Sequence, residues 1–208
     1  GAGYWLQLEV QDACGWALLK EAPLAAQVIA QFFAGSFVFY AAHWLLHTRL
    51  LWEIHKVHHA AETMTMANNF RAHPVTHAVR GVLEAFAGAA LGIHPAVILA
   101  YLAVTGTAVV WQHCDVDWRL PWLERFVFIG AAAHRIHHSR VERYYNTNLG
   151  ILVFWDWLFG TLASDPAPFA LPIGVDDPAH NRSGAAREMI SVEAVELRTL
   201  WRAALSVF

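Results

Sequence analysis

Two stretches of this chain share one spelling, His55-Lys-Val-His58-His59 and His134-Arg-Ile-His137-His138, and a third, His43-Trp-Leu-Leu-His47, sets two histidines four apart. On a helix, positions i, i+3 and i+4 lie on one face about one turn apart, so each H-x-x-H-H block predicts three imidazoles aimed at a common point. With 13 histidines in 208 residues, such a block would occur twice by chance in roughly one sequence of a thousand. A single histidine is most often an ordinary hydrogen-bonded residue, but eight in this pattern are a metal-binding array. Imidazole suits Fe, Zn, Cu and Ni, and one zinc site uses only three or four ligands, so the surplus predicts two metal ions close together. Soluble di-iron bundles use mostly Glu with Glu-x-x-His pairs, a pattern absent here. A histidine-rich dinuclear site at a membrane surface points instead to dioxygen activation against a lipid-borne substrate.

The elements that must position these residues read as membrane helices. Hydrophobic residues make up 57% of the chain and charged residues 15%, and ten tryptophans suit a membrane interface. A first span is expected from about Leu24 to Trp44, without Lys, Arg, Asp or Glu, long enough to cross a hydrocarbon layer roughly 30 Å thick. It runs directly into His43 and His47. The apolar region from about Val82 to Gln112 is long enough for two short passes and is broken by Gly92-Ile-His-Pro95, a helix stop followed by a restart. A hairpin there returns the chain to the side it left and brings His113 to the face of His55, His58 and His59.

Arg49, Lys56, Arg71, Arg80, Arg119, Arg125, Arg135, Arg140 and Arg143 flank the histidine blocks, whereas the hairpin tip near His94 has no Lys or Arg. The positive-inside tendency then places the histidine face in the cytoplasm. A net charge of -3 with no separate basic stripe argues against a nucleic-acid partner. Cys14 and Cys114 are too few for a disulfide framework or a thiolate metal site. No signal peptide is read in the Gly-Ala-Gly start, and a fragment lacking an upstream helix is expected. Pro166, Pro168, Pro172 and Pro178 mark an extended loop, and Ser191 to Leu205 reads as an amphipathic packing or interfacial helix. The fold class expected is all-α, a single domain over 1–208 built as an integral membrane helical bundle with a cytoplasmic histidine-rich di-metal cap.

With these motifs in place, the chain resembles the fatty acid hydroxylase and sterol desaturase superfamily of membrane non-haem di-iron oxygenases. The resemblance rests on H-x3-H at His43 and His47, H-x2-H-H at His55, His58 and His59, and a later H-x2-H-H at His134, His137 and His138. Leu51-Trp-Glu-Ile-His-Lys-Val-His-His59, Arg71-Ala-His-Pro74, Asn148-Leu-Gly150 and Trp155-Asp-Trp-Leu-Phe-Gly-Thr161 resemble family segments as well, and the similarity covers roughly residues 40–161.

The resemblance implies that the eight block histidines hold two iron ions, with zinc as a conceivable substitute, and serve catalysis. Family members carry a further histidine motif where this chain has His113-Cys-Asp-Val-Asp117; some have a second His at the place of Asp117, so His113 and Asp117 are both candidate ligands, Asp117 equally readable as a solvated loop acid. His73 and His77, four apart, are candidate ligands or outer partners. Asn148 could meet a metal through water, fix its loop, or cap. His94 and His180 are not expected to ligate.

The implied activity is O2-dependent hydroxylation or desaturation of a lipid C–H bond, and Phe37, Phe39, Tyr40 and Trp111 are candidates to line the lipid path. Such chemistry needs electrons, and the chain has no G-x-G-x-x-G, P-loop or C-x-x-C-H motif. A separate donor is implied, a ferredoxin or a cytochrome b5-like protein with its reductase. Three rival readings stand: a zinc-dependent membrane hydrolase, a catalytically inactive metal-binding relative, and a metal transporter, the last disfavoured because the blocks sit at span ends rather than at mid-membrane.

Overall fold

The computed structural model describes residue 9, residues 17–117 and residues 119–176. The helix expected at Ser191 to Leu205, with Cys14, Pro178 and His180, lies outside the described residues. Among the described residues the chain is helical: α1 (Leu24–Leu46), α2 (Trp52–His59), α3 (Pro74–Ala90), α4 (Pro95–Gln112), α5 (Pro121–Phe126), α6 (Ala131–His137) and α7 (Val153–Phe159), with short 3₁₀ turns at Met66–Phe70, Glu142–Tyr144 and Pro168–Ala170. Among the described residues, pairing between extended segments is limited to two isolated bridges, Phe128 with Leu152 and Ser139 with Ile173.

The hairpin forms where the sequence reading put its tip. Gly92, at φ +78°, accepts a backbone conformation that side-chain-bearing residues rarely adopt, and the Ile93 N–H returns to the Gly88 carbonyl at 3.0 Å, closing α3. Pro95 then opens α4, where the His94 ring caps the Ala96 N–H at 3.2 Å. The first arm starts earlier than its apolar stretch suggests, at Pro74 instead of Val82, because Pro74 is a favourable first helical residue and Arg80 and Glu84 lie one turn apart and pair at 3.2 Å.

Helices α1 and α4, 23 and 18 residues long, are long and apolar enough to cross a membrane. Their polarity is inverted relative to a water-soluble bundle: Gln27, Gln31, Ser36, Thr105 and Gln112 are buried, while Leu24, Ile29, Phe33, Leu99 and Val104 are exposed. Helix α1 packs along α3 and against α4, and α6 lies against α4. Where α1 meets α4, Gly35 leaves room for the Tyr101 ring; a Cβ there would lie 2.6 Å from it. A small cluster of Phe39, Val109 and Ile151 ties this bundle to the segments that carry the histidines at one of its ends.

Candidate metal centre

Four helices converge on that end. The last turn of α1 supplies His43 and its C-terminal cap supplies His47; α2 carries His55, His58 and His59; His113 caps α4; α6 carries His134 and His137, with His138 as its cap. Eight of these nine rings are buried and His47 is half-buried. A soluble core would not tolerate so many imidazoles without partners, because each nitrogen taken from water requires a hydrogen bond or a ligand.

The nine divide into two groups, His43, His47, His55, His59 and His137 in one and His58, His113, His134 and His138 in the other, each offering nitrogen atoms within 4.8 Å of one another. This corrects the expectation that each H-x-x-H-H block aims at one point. On both helices the i and i+4 rings serve one group and the i+3 ring serves the other, since a residue three along sits about 100° from one four along. The assignment is reversed between the blocks, so α2 gives two rings to the first group and one to the second, and α6 the opposite.

The chemistry of the nitrogens fits a cation in each group. His58 Nδ1 meets the Arg71 carbonyl at 3.2 Å and His113 Nδ1 meets the Val109 carbonyl at 2.7 Å. A carbonyl can only accept, so both rings donate from Nδ1, and when neutral both carry a bare lone pair on Nε2. Those two Nε2 atoms face each other at 3.2 Å, an arrangement that repels until a cation enters between them. His43 and His137 are set the same way, Nδ1 donating to the Leu149 and Thr147 carbonyls at 2.7 Å each. The buried Nε2 atoms of His47 and His137 have no hydrogen-bond partner. The other close Nε2 pairs, His43 with His55, His59 with His55, His134 with His113 and His138 with His134, are 3.0–3.2 Å apart and each falls within one group. That spacing suits neighbouring ligands on one ion bound at roughly 2.0–2.1 Å per imidazole.

Burial keeps these rings neutral, the form a metal requires. It is the main cause holding His47, His55, His58, His59, His134, His137 and His138 well below the usual imidazole value, with neighbouring imidazoles adding to the effect. For His113, burial brings the value down to about 4 against an opposing hydrogen bond to Val109.

The loop that anchors two of these rings is itself pinned. Asp156, fully buried, accepts from the Leu149 and Gly150 N–H groups and the Thr161 hydroxyl, each at 2.7 Å. Because the Thr161 proton goes to Asp156, the Tyr40 hydroxyl at 3.1 Å donates to Thr161. Gly150 leaves the space this clamp needs; a Cβ there would lie 2.7 Å from the Asp156 carboxylate. Asn148, at φ +52°, donates to the Ala133 and Ala163 carbonyls at 2.9 and 3.0 Å and accepts from the Ala163 N–H at 2.9 Å. It therefore fixes its loop, one of the roles left open above. The sequence reading missed the role of Asp156, although it lies in the Trp155–Thr161 segment singled out there.

Other candidates lie outside both groups. Asp117 is exposed and paired with Arg119 at 2.6 Å. His73 is half-buried just before α3, and His77 sits on α3. A cavity of about 580 Å³ reaches His43, His55, His58, His113 and His134 from between α1, α3 and α4, with mostly apolar walls including Phe37, Phe39, Leu46, Leu83 and Val109. Tyr40 and Trp111, expected with Phe37 and Phe39 on this path, are not among its walls. A second cavity of about 400 Å³ reaches His47, His59 and His137 and is lined by Trp52, Lys56, Tyr145, Asn146 and Asp176.

Comparison with known proteins follows the same residues. The sequence model of the family described as fatty acid hydroxylase matches residues 28–161. Among curated relatives, ornithine lipid hydroxylase OlsE of Rhizobium tropici is 36% identical over 155 residues, 74% of this chain and 46% of that protein. Methylsterol monooxygenase 2-2 of Arabidopsis thaliana is 29% identical over 66% of this chain and 53% of its own length. Alkylglycerol monooxygenase of Danio rerio is 32% identical over 60% of this chain and 28% of its own length. The chain thus spans about half or less of the curated relatives described here. No solved structure matches it.

Proposed function

The chain belongs to the fatty acid hydroxylase family, and from that premise we propose that it is the histidine-bearing domain of a membrane-bound non-haem di-iron oxidoreductase that hydroxylates or desaturates a lipid C–H bond. The observation that carries the reading is the pair of histidine groups opening onto an apolar cavity. The relatives' names, two lipid monooxygenases and a lipid hydroxylase, agree with it. In this reading the nine grouped histidines hold the metal, and His73, His77 and Asp117 do not.

When bound, the two irons supply reductive activation of dioxygen. Hydroxylation converts R–H, O2, two electrons and two protons into R–OH and water; desaturation converts two adjacent C–H bonds into an alkene with two waters. The chain's own part is to hold and exclude. Carbonyls of Val109, Arg71, Leu149 and Thr147 keep the proton on Nδ1 of four rings and leave Nε2 available. The walls of the larger cavity orient an apolar chain beside the rings and keep water away from the reacting carbon.

Electrons come from a separate protein, a ferredoxin or a cytochrome b5-like donor with its reductase. The polar cavity at Lys56 and Tyr145 is the side from which they would arrive. The inverted polarity of α1 and α4 supports an integral membrane bundle. Arg135, Arg140 and Arg143 near the histidine end favour a cytoplasmic placement of that end.

The test is to purify the chain in detergent, reconstitute it with ferrous iron under anaerobic conditions, and measure bound metal beside the His137→Ala variant. About two irons per chain, reduced in the variant, is the expected result. A single zinc, or no retained metal, overturns the proposal.

A further inference from the structure

The larger cavity has one feature its apolar character does not require. Among the described residues, Arg80 is the only Lys, Arg, Asp or Glu on its wall. Lys and Arg near helix ends ordinarily reach for water, and the sequence reading placed Arg80 with the residues flanking the histidine blocks. In the structure it lies within α3 and faces inward. Its guanidinium stands over the Phe39 ring, 4.9 Å from the centroid, and the same ring meets the His43 ring edge-on at 5.7 Å. One aromatic ring therefore touches both the cation and a member of the five-histidine group.

The charge is balanced from behind. Glu84, one turn along α3 and 3% exposed, pairs with Arg80 Nε at 3.2 Å and is not part of the cavity wall. The pair presents donors to the cavity with no net charge, so an uncharged ligand group suits it better than an anion, which would leave a buried excess of negative charge. One turn before Arg80, on the same face, stands His77. Its ring is hydrogen-bonded to the Asn69 backbone, and its buried Nε2 has no hydrogen-bond partner. His77 thus offers an acceptor beside the donors of Arg80.

We infer that Arg80 and His77 form a recognition site for the hydroxyl group of a lipid alcohol whose apolar body fills the cavity. The hydroxyl oxygen accepts from the Arg80 guanidinium and its proton goes to His77 Nε2. Because Arg80 and His43 both contact the Phe39 ring and both line this cavity, the carbon presented to the histidines is within a few bonds of that hydroxyl. This inference rests on the reading of the chain as a lipid oxidoreductase, and it names which lipids and which end of them.

Binding is tested on the purified full chain in detergent without metal, by displacement of a fluorescent long-chain probe. The competitors share one chain length: hexadecanol, its methyl ether, and hexadecane. Wild type is expected to prefer the alcohol over the alkane by about tenfold, the scale of one charge-assisted hydrogen bond, with the ether between. Arg80→Met combined with Glu84→Gln, which avoids stranding a buried carboxylate, removes most of that preference. His77→Phe removes the difference between alcohol and ether while keeping the ether above the alkane. Equal binding of all three by wild type overturns the inference, and so does a variant that weakens all three alike. A second arm uses iron-loaded chain with an external reductant and locates the oxidised carbon by mass spectrometry. Oxidation close to the hydroxyl in wild type, scattered along the chain in the double variant, supports the site; oxidation at mid-chain in wild type overturns it. Absence of any oxidised product counts against the proposed activity, while the binding order still decides the role of Arg80 and His77.

Discussion

The two histidine groups are made from the same parts in opposite proportions. The first takes two rings from α2 and one from α6; the second takes one from α2 and two from α6. They differ in what the long helices add. Helix α1 contributes His43 and His47 to the first group, while α4 contributes His113 alone to the second, and Asp117, four residues further, turns to solvent and pairs with Arg119. They also differ in their surroundings. His47, His59 and His137 of the first group reach the polar cavity, whereas no member of the second group lines it; His58, His113 and His134 of the second face the apolar one. A near-symmetric ligand array is thus placed across an asymmetric boundary: the first group is approachable from the polar side and, through His43 and His55, from the apolar side as well, whereas the second meets only the apolar cavity of the two.

The largest expected effect comes from emptying one group at a time. His59→Ala and His58→Ala, neighbours in sequence but members of different groups, are each expected to lower bound metal from about two ions per chain to about one and to abolish the proposed lipid oxidation. Elemental analysis decides it, and loss of all metal in either variant would show that the groups act as one inseparable site.

A smaller, one-sided effect is expected from Asp156→Ala. Removing the carboxylate strands the buried Leu149 and Gly150 N–H groups, at a cost of about 3 kcal/mol in stability. The Leu149 carbonyl then loses its hold on His43, so metal affinity of the first group falls by roughly 10–100-fold while the second is unchanged. Denaturant unfolding and metal titration read the two effects separately; an equal loss in both groups would break the comparison.

Acidification acts on both groups. Burial holds the folded-state imidazoles well below the usual value, and His113 at about 4. Below pH of about 6.5 the unfolded chain takes up protons that the folded chain refuses, so metal-free stability is full above that pH and falls as pH drops toward the folded values. Unfolding midpoints at pH 7.5 and 5.5 without metal check the sign, and a midpoint that rises on acidification refutes it. Metal release follows the same direction, since protons compete for the same nitrogens.

The smallest effect belongs to Asp117→Asn. Its ion pair is exposed, so stability should change by less than about 0.5 kcal/mol, with bound metal unchanged. Loss of one metal equivalent would instead make Asp117 the second group's counterpart of His47.

Much of this was legible because it is local. The helix stop at Gly92 and restart at Pro95 depend on φ preferences and a missing N–H, which neighbours hardly alter. The long apolar run of α1 and the blocks at His55 and His134 likewise carry their helical placement in their spacing. Less legible was anything that depends on which side of a helix meets which neighbour. Arg80 read as a flanking cation because charge alone does not say that Phe39 and Glu84 would receive it. Asp156 read as one member of a similar-looking segment, since its partners at Leu149 and Gly150 are joined to it only by the turn between them.

The sequence by itself determined that eight histidines at helical spacing would gather at one end of an apolar helical bundle, with His113 returned to that end by the hairpin, because composition and periodicity act residue by residue. Only the tertiary structure decided how they divide. An i+3 ring and an i+4 ring stand on either side of a helix face, and the neighbour packed against each edge selects its group. The same packing sets the carbonyls of Val109, Arg71, Leu149 and Thr147 against four Nδ1 atoms, which chooses the nitrogen left bare for a metal. Those choices depend on distances between segments far apart in the chain, and spacing along one segment carries no information about them.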